Sequence, residues 1–246
     1  MKIVVLSGKA ETGKDFIAKT YFWSRGVADT GPTVDPVYRP LRFYPIAQAD
    51  ALKELAIGRQ LVSFEEAYVT KPPFARKILQ QLGTEEGWQK YGETVWCEMT
   101  YARMRRASEG WEIEQFVVTD CRFPHEVEFW RSKGATLLRI FAPDRVEDSK
   151  LNKEARAHLS ETALDGWDPQ PSYPTPQKPR VHYELEPKGP YWDGIIDNRK
   201  HIRPDELDYQ MTMICRIHDI IEPIEYFGVL PKPAYLSPSG THAGEL

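Results

Sequence analysis

The stretch Lys2-Ile3-Val4-Val5-Leu6-Ser7-Gly8-Lys9-Ala10-Glu11-Thr12-Gly13-Lys14-Asp15-Phe16 decides the fold of this chain. Its apolar β-formers predict a buried strand that ends at Ser7, and the residues after Lys14 predict the start of a helix. The glycine-punctuated loop between them has the strand–loop–helix context of a phosphate-binding P-loop. We therefore predict that residues 8–14, called the P-loop below, cradle phosphate through backbone N–H groups, the helix N-terminus and the Lys14 ammonium.

Asp15 is the one departure from the usual P-loop pattern, because Ser or Thr normally holds magnesium at this position. The alternative to a P-loop is a glycine-rich turn that happens to carry an exposed lysine. That alternative does not explain why a cation stands at a helix start, where the helix dipole disfavours it unless an anion is bound. The residues expected to contact the nucleotide phosphates are Gly8, Lys9, Ala10, Glu11, Thr12, Gly13, Lys14, Asp15 and Phe16.

Composition and charge limit the classes of protein to consider. The chain has 246 residues, of which 41% are hydrophobic and 28% charged, and this favours one globular α/β domain with insertions. The formal net charge of −4 is not the basic footprint of a protein that binds a nucleic-acid polymer. The three cysteines show no metal-binding spacing, there is no apolar run of membrane-spanning length, and a strand begins at once instead of a signal peptide. We therefore expect a cytoplasmic protein with reduced thiols and no membrane partner.

A strand–helix–strand pattern follows later in the chain. Gln115 to Asp120 and Ala135 to Phe141 predict buried strands, and Pro124 opens a helix between them, so a doubly wound parallel sheet flanked by helices is expected. The domain is expected over residues 1–230, with a lid at about 144–165, a proline-rich insertion at 168–193 and a loose tail at 231–246. Further helices are predicted over 14–23, over 49–57 with Asp50 as N-cap, from a capping box at Ser63 and Glu66, and over 72–82, 93–106 and 207–214.

Asp120 and Arg122 are candidates for chemistry because they follow a buried strand at the edge where parallel sheets bind ligands. A carboxylate there can hold the magnesium ion that bridges nucleotide phosphates, although Asp120 could instead cap the next helix. A guanidinium can bind phosphate through two hydrogen bonds, although Arg122 could instead be a surface arginine.

A charged segment after the third strand could close over bound nucleotide and exclude water, which is a competing phosphoryl acceptor. Its candidate residues are Lys153, Arg156, His158, Ser160 and Glu161. The alternative is an ordinary solvated helix face.

Five blocks of this sequence resemble, in the same order, the deoxynucleoside monophosphate kinases of tailed bacteriophages, which are P-loop kinases. The blocks are Ser7-Gly8…Gly13-Lys14-Asp15, Ala49-Asp50-Ala51-Leu52-Lys53-Glu54, Leu79…Leu82-Gly83-Thr84-Glu85, Val118-Thr119-Asp120-Cys121-Arg122-Phe123-Pro124-His125-Glu126 and His158-Leu159-Ser160-Glu161-Thr162-Ala163-Leu164. In that family an aspartate follows the P-loop lysine, and the strand from Ile195 to Asn198 is similar to its closing core strand. The resemblance runs from residue 1 to about residue 215. The loop 26–40, the proline-rich insertion and the tail beyond Tyr226 depart from it, so the base, which could be a modified one, stays open.

The resemblance implies phosphorylation of a deoxynucleoside monophosphate by ATP with Mg²⁺. The implied catalytic residues are Lys14, Asp15, Asp120 and Arg122, of which Asp15 and Asp120 would organise the metal. The implied substrate-binding residues are Lys53, Thr84, Glu85, Trp88, Arg122, Arg156, His158 and Glu161. The expected location is then the host cytoplasm if a phage encodes the chain, and a homodimer is possible.

Two other functions stay open at this point. Animal-type phosphomevalonate kinases resemble the chain in the Gly-Lys-Asp-Phe loop, the Asp-x-Arg after the second strand and a later Ser-Glu…Leu-Asp block. The blocks Phe123-Pro124-His125-Glu126 and Leu82-Gly83-Thr84-Glu85 favour the nucleotide kinase. The other alternative is a nucleotide-binding regulatory protein without kinase activity, which would hydrolyse nucleotide slowly and bind a protein partner.

Overall fold

A five-stranded parallel sheet organises the protein in the order β2-β3-β1-β4-β5. The computed structural model describes residues 1–22, 43–148, 157–168, 191–217 and 220. The strands are β1 (Lys2–Ser7), β2 (Tyr44–Ile46), β3 (Gln115–Cys121), β4 (Thr136–Phe141) and β5 (Gly194–Asp197). Because β1 pairs with both β3 and β4, the P-loop leaves the sheet at the middle of its carboxyl edge. The predicted parallel α/β fold is confirmed.

The helices of the described residues begin and end as follows: α1 (Lys14–Ile17), which continues as a π-helical turn (Ala18–Phe22), α2 (Gln48–Gly58), α3 (Pro73–Gln81), α4 (Gly87–Tyr91), α5 (Val95–Trp111), α6 (Pro124–Ser132), α7 (Pro143–Glu147), α8 (Leu159–Thr162) and α9 (Pro204–Ile217). Two further π-helical turns, Glu66–Thr70 and Leu82–Glu86, and a 3₁₀ turn, Asp165–Trp167, complete the set. None of these helices combines the length and the apolar character needed to cross a membrane.

Helices cover both faces of the sheet. Successive side chains of a strand point to opposite faces, so a strand that is covered on both sides contributes to two separate buried clusters. Val4 and Leu6 of β1 belong to one buried cluster, which also contains residues of α1 and α9. Ile3 and Val5 belong to the other, which also contains residues of α5 and α6. Burial on both faces explains why β1 reads as a continuous apolar run instead of an alternating one.

Two predicted helix features are wrong. Helix α5 continues to Trp111, so the arginines from 103 to 106 lie inside the helix instead of at its C-terminus. The sequence after Arg106 has no glycine until Gly110 and no proline, so nothing local stops the helix there. Asp50 is not the N-cap of α2, because that helix begins at Gln48 and its first N–H groups are bound by Asp120 of β3.

The predicted capping box of the segment after Ser63 is confirmed. The Ser63 N–H donates to Glu66 Oε2 at 2.7 Å, and the Glu66 N–H donates to Ser63 Oγ at 3.2 Å. Several predicted features lie outside the described residues: Trp23, the loop 26–40, Lys153 and Arg156 of the lid, most of the 168–193 insertion, and the 231–246 tail.

Candidate active site

The P-loop is packed against the ends of two neighbouring strands. A Cβ atom at Gly8 would lie 2.9 Å from the Ile140 carbonyl oxygen, and one at Gly13 would lie 2.4 Å from Asn198 Nδ2. Gly13 also has a φ of 93°, a backbone conformation that side chains rarely adopt. Both glycines are therefore required by close approach, and the loop conformation depends on β4 and β5 as well as on its own sequence.

Lys14 lies at the start of α1 and is 8% exposed. Its ammonium donates to the carbonyl oxygen of Gly8 at 2.7 Å and also to that of Lys9, so the side chain folds back against its own loop. Burial, together with the nearby Arg122 guanidinium, lowers the pKa of Lys14 to about 7, and Glu161 and Asp15 oppose part of this shift. A buried ammonium close to a second cation is an unfavourable arrangement that a bound anion would relieve.

Asp120 stands at the end of β3 and accepts two backbone hydrogen bonds. Its Oδ1 and Oδ2 accept the N–H groups of Gln48 and Ala49, each at 2.8 Å. The pKa of Asp120 is raised because the carboxyl is buried, and these two hydrogen bonds offset part of that rise. Helix capping is thus observed for Asp120, but for α2 across the sheet instead of for the helix that follows it in sequence.

Arg122 owes its backbone position to the block that contains it. Oε2 of Glu126, on α6, accepts the N–H of Arg122 at 2.6 Å and that of Phe123 at 3.1 Å. Pro124 opens the helix, where its missing N–H costs nothing. Burial raises the pKa of the Glu126 carboxyl to about 7. The Arg122-Phe123-Pro124-x-Glu126 pattern is therefore a helix start that holds the arginine at the edge of the sheet.

Glu161 bridges the P-loop and Arg122. Its Oε2 accepts the N–H of Ala10 at 2.7 Å, and its Oε1 accepts a short hydrogen bond from Arg122 Nη1. The Glu161 side chain is 9% exposed. A second contact between the same two parts of the chain is the ion pair of Lys9 Nζ with Asp165 Oδ1 at 2.8 Å. Residues 157–168, called the lid segment below, are thus attached to the P-loop at two points.

Arg139 of β4 is a site residue that the sequence analysis missed. Its side chain is 4% exposed, its Nη1 donates to Ser7 Oγ at 2.8 Å, and its Nε donates to Asp168 Oδ1 at 2.7 Å. It lies among the cations that lower the pKa of Lys14. A signal was available in the sequence, since a lone arginine inside an apolar strand must be buried with a partner.

The space between the lid segment and the P-loop is almost filled. A cavity of about 10 Å³ remains there, lined by Gly8, Lys9, Arg122, Arg139, Ser160, Glu161 and Leu164. This volume holds about one water molecule, so a phosphate group does not fit between the lid segment and the P-loop in this arrangement.

The other predicted substrate residues lie apart from this cluster or make local contacts. The His158 ring accepts the Ser160 N–H at 3.2 Å and so caps α8, and the Thr84 hydroxyl donates to Gln80 O at 2.8 Å inside its own helical segment. The Lys53 ammonium lies 4.4 Å from the centroid of the Tyr68 ring and 3.3 Å from Asp50 Oδ1. The side chain of Glu85 and all of Arg156 lie outside the described residues.

Trp88 of α4 is part of an aromatic cluster with Phe123 and His125. Its ring packs edge-on against Phe123 and His125, with 4.9 Å between ring centroids in each case. Phe123 follows Arg122 directly in the chain, so Trp88 packs against the sequence neighbour of Arg122.

The carboxylates of the site fit a magnesium ion that is held mainly by phosphate. Within the described residues, no three His, Cys, Asp or Glu side chains are clustered into a site made of protein ligands alone. Magnesium in phosphoryl-transfer sites instead takes one or two carboxylates and completes its shell with phosphate and water. Each Asp120 oxygen accepts one N–H and has a second lone pair free for metal-bound water, and Asp15 is exposed in the first turn of α1.

The comparison with protein families agrees with this geometry. Residues 53–166 match the family model described as deoxynucleotide monophosphate kinase. The matched range contains Asp120, Arg122 and Glu161, whereas the P-loop precedes it. No curated protein matches the chain. This match over residues 53–166 supports a relationship of the chain to the deoxynucleotide monophosphate kinase family.

Proposed function

We propose that this protein transfers the γ-phosphoryl group of ATP to a deoxynucleoside monophosphate and releases ADP and the deoxynucleoside diphosphate. One observation carries the proposal. The Glu161 carboxylate is held at once by the Ala10 N–H of the P-loop and by Arg122, next to Lys14 and Arg139. An anion therefore fits between a loop suited to the donor phosphates and an arginine suited to an acceptor phosphate.

The P-loop holds the donor. Its backbone N–H groups and the N-terminus of α1 face the β- and γ-phosphates, and the Lys14 ammonium leaves the Gly8 and Lys9 carbonyl oxygens to bridge them. The negative phosphates offset the effect of burial on Lys14, which then stays protonated. Asp15 and Asp120 would hold a magnesium ion, which would supply positive charge against the negative charge of the nucleotide phosphates.

Arg122 and the lid segment hold the acceptor. The guanidinium binds the acceptor phosphate through two hydrogen bonds once it leaves Glu161. An oxygen of that phosphate attacks the γ-phosphorus, and the bond from this phosphorus to the β–γ bridging oxygen breaks, so that ADP leaves with the electron pair. No enzyme-bound covalent intermediate is needed, because positioning and charge neutralisation lower the barrier.

The acceptor nucleoside extends from Arg122 towards the aromatic cluster of Trp88, Phe123 and His125, where the base can pack on an aromatic face. Lys53, Thr84, Glu85, Arg156 and His158 stay predictions as substrate-binding residues. The base itself, standard or modified, also stays a prediction.

An acceptor panel tests the proposal. ADP formation from ATP and Mg²⁺ is measured with deoxynucleoside monophosphates that carry standard and modified bases, with the matching ribonucleotides and with phosphomevalonate. We expect stimulation by at least one deoxynucleoside monophosphate. Stimulation by phosphomevalonate alone would make the protein a small-molecule kinase, and slow hydrolysis with no acceptor effect would favour a regulatory nucleotide-binding protein.

Replacing Glu161 by Gln is expected to tighten the binding of inorganic triphosphate about tenfold. The amide keeps the size of the side chain but loses the charge that competes for Arg122 and the Ala10 N–H, and hydrogen bonds to charged groups are stronger by on the order of 1 kcal/mol. Titration calorimetry without an acceptor measures the change.

Glu109→Gln is the matched control for the Glu161 experiment, because it removes the same charge from an exposed pair with Arg105. Equal or weaker triphosphate binding by the Glu161 variant, relative to this control, would show that the carboxylate does not compete with phosphate.

A further inference from the structure

Asn198, directly after β5, lies under the P-loop. It is 6% exposed, and its side-chain Nδ2 donates to the Thr12 carbonyl oxygen at 2.8 Å. The orientation of the amide follows from chemistry, because a carbonyl oxygen can only accept a hydrogen bond. Asn198 and Thr12 are far apart in the sequence. They come into contact because β5 and β1 end at the same edge of the sheet.

The backbone of Asn198 is fixed on both sides, which makes its side chain a rigid support. Its N–H donates to the Phe141 carbonyl oxygen at 2.9 Å, and its own carbonyl oxygen accepts from Arg145 Nε at 2.5 Å. These bonds tie the residue to the end of β4 and to α7. The amide is therefore held in place before any ligand arrives.

The contact with Thr12 determines where a phosphate-binding N–H points. The Thr12 carbonyl and the Gly13 N–H belong to one peptide plane, and in a trans peptide they point in opposite directions. Holding the Thr12 oxygen towards Asn198 on the sheet side consequently turns the Gly13 N–H away from Asn198. This arrangement requires a glycine, because a φ of 93° is rarely adopted by residues with a side chain and a Cβ atom at Gly13 would lie 2.4 Å from Asn198 Nδ2.

We propose that Asn198 is a positioning residue for the donor phosphates: it orients the Thr12–Gly13 peptide so that the Gly13 N–H faces the bound triphosphate. This inference rests on the proposed function for the identity of the ligand, but its geometry involves only the P-loop and β5. Asn198 acts through the loop and does not itself contact the substrate.

The experiment compares Asn198→Asp with Asn198→Ala by calorimetric titration of inorganic triphosphate and by kinetics with ATP. The aspartate has the same shape but places an acceptor against the Thr12 carbonyl oxygen, which would rotate the peptide, whereas alanine only removes the support. We expect triphosphate binding to weaken about a hundredfold for Asp and about tenfold for Ala, with a matching rise in KM for ATP and an unchanged KM for the acceptor.

Gln210→Ala serves as the control, because Gln210 also bonds the end of β5, at the Asp197 N–H and carbonyl, but does not touch the P-loop. A residue that merely fills space would give the reverse order, with Ala worse than Asp, and that order would overturn the proposal. Triphosphate affinity within twofold of wild type in both variants would also overturn it. If Asn198→Asp does not fold, the triphosphate affinities of Asn198→Ala and Gln210→Ala are compared. Weaker binding by Asn198→Ala than by Gln210→Ala would support the proposal, and equal binding would overturn it.

The proposed function fails by a different observation. A wild-type protein that binds triphosphate but shows no turnover with any acceptor would overturn the kinase proposal. The order of triphosphate affinities in the Asn198 variants would still test whether Asn198 positions the P-loop.

Discussion

Replacing Lys14 by Ala is expected to lower the rate of phosphoryl transfer by on the order of 10³-fold or more while the fold is retained. The ammonium is the buried cation of the P-loop, and its bonds to the Gly8 and Lys9 carbonyl oxygens are available for exchange with phosphate oxygens. Burial lowers its pKa to about 7, so the folded protein gains little from keeping this lysine charged without a ligand. Loss of the side chain should therefore affect catalysis far more than folding.

Steady-state kinetics with ATP and the best acceptor measures the loss, and a thermal melt checks the fold. Lys19→Ala is the matched control, because Lys19 is an exposed lysine in the next turn after Lys14. Turnover of the Lys14 variant close to that of the control would contradict the assignment of the P-loop.

The same lysine links phosphate binding to proton uptake. Without ligand, Lys14 is largely neutral at pH 8, above its pKa of about 7, and bound phosphates raise that pKa again. Triphosphate binding at pH 8 should then take up a proton, and at pH 6, where Lys14 is already charged, it should take up much less. Calorimetry in buffers of different ionisation enthalpy measures this difference, which Lys14→Ala should abolish.

Replacing Arg122 by Ala is expected to lower kcat/KM for the acceptor by about 10²-fold and to change ATP binding much less. The guanidinium offers two parallel donors to a phosphate, and the aliphatic replacement offers none. Arg122→Lys keeps the charge without the planar fork, so we expect it to recover only part of the loss. Acceptor kinetics at saturating ATP measure the effect.

The Arg122 experiment needs a variant that separates binding from folding. Without the arginine, the nearly buried Glu161 carboxylate keeps the Ala10 N–H but loses its cation, and an uncompensated buried charge is destabilising. The double variant Arg122→Ala with Glu161→Gln removes both charges. Acceptor kinetics of this double variant equal to those of Glu161→Gln alone would exclude Arg122 from the acceptor site, and Arg105→Ala is the control for removal of a paired surface arginine.

The local elements of the site could be predicted from sequence because their signals are local. An apolar run that stops at Ser7, glycines at 8 and 13 and a lysine at 14 predicted the strand, the loop and the helix start, and the structure has each of them. The capping box of Ser63 and Glu66 was predictable for the same reason, since its two partners are three residues apart.

Helix ends and capping partners were predicted less well where the partner is distant in sequence. The sequence predicts Asp50 as the N-cap of α2, but Asp120 binds that helix start from another strand. Similarly, the sequence predicts that α5 ends at Arg106, whereas the helix continues to Trp111. A capping partner on another strand leaves no local signal, and no glycine or proline stops α5 directly after Arg106.

By itself, the sequence determined where the strands lie along the chain, where the P-loop is, and the candidate residues Asp120, Arg122 and Glu161. These features follow from backbone preference and hydrophobic periodicity, which act over a few residues. Only the tertiary structure decided that Glu161 joins Arg122 to the Ala10 N–H, that Arg139 is buried beside them, and that Asn198 supports Thr12. Those contacts depend on the order in which parallel strands lie in the sheet. That order brings together strand ends that are far apart in the chain, and no local pattern of residues encodes the resulting distances.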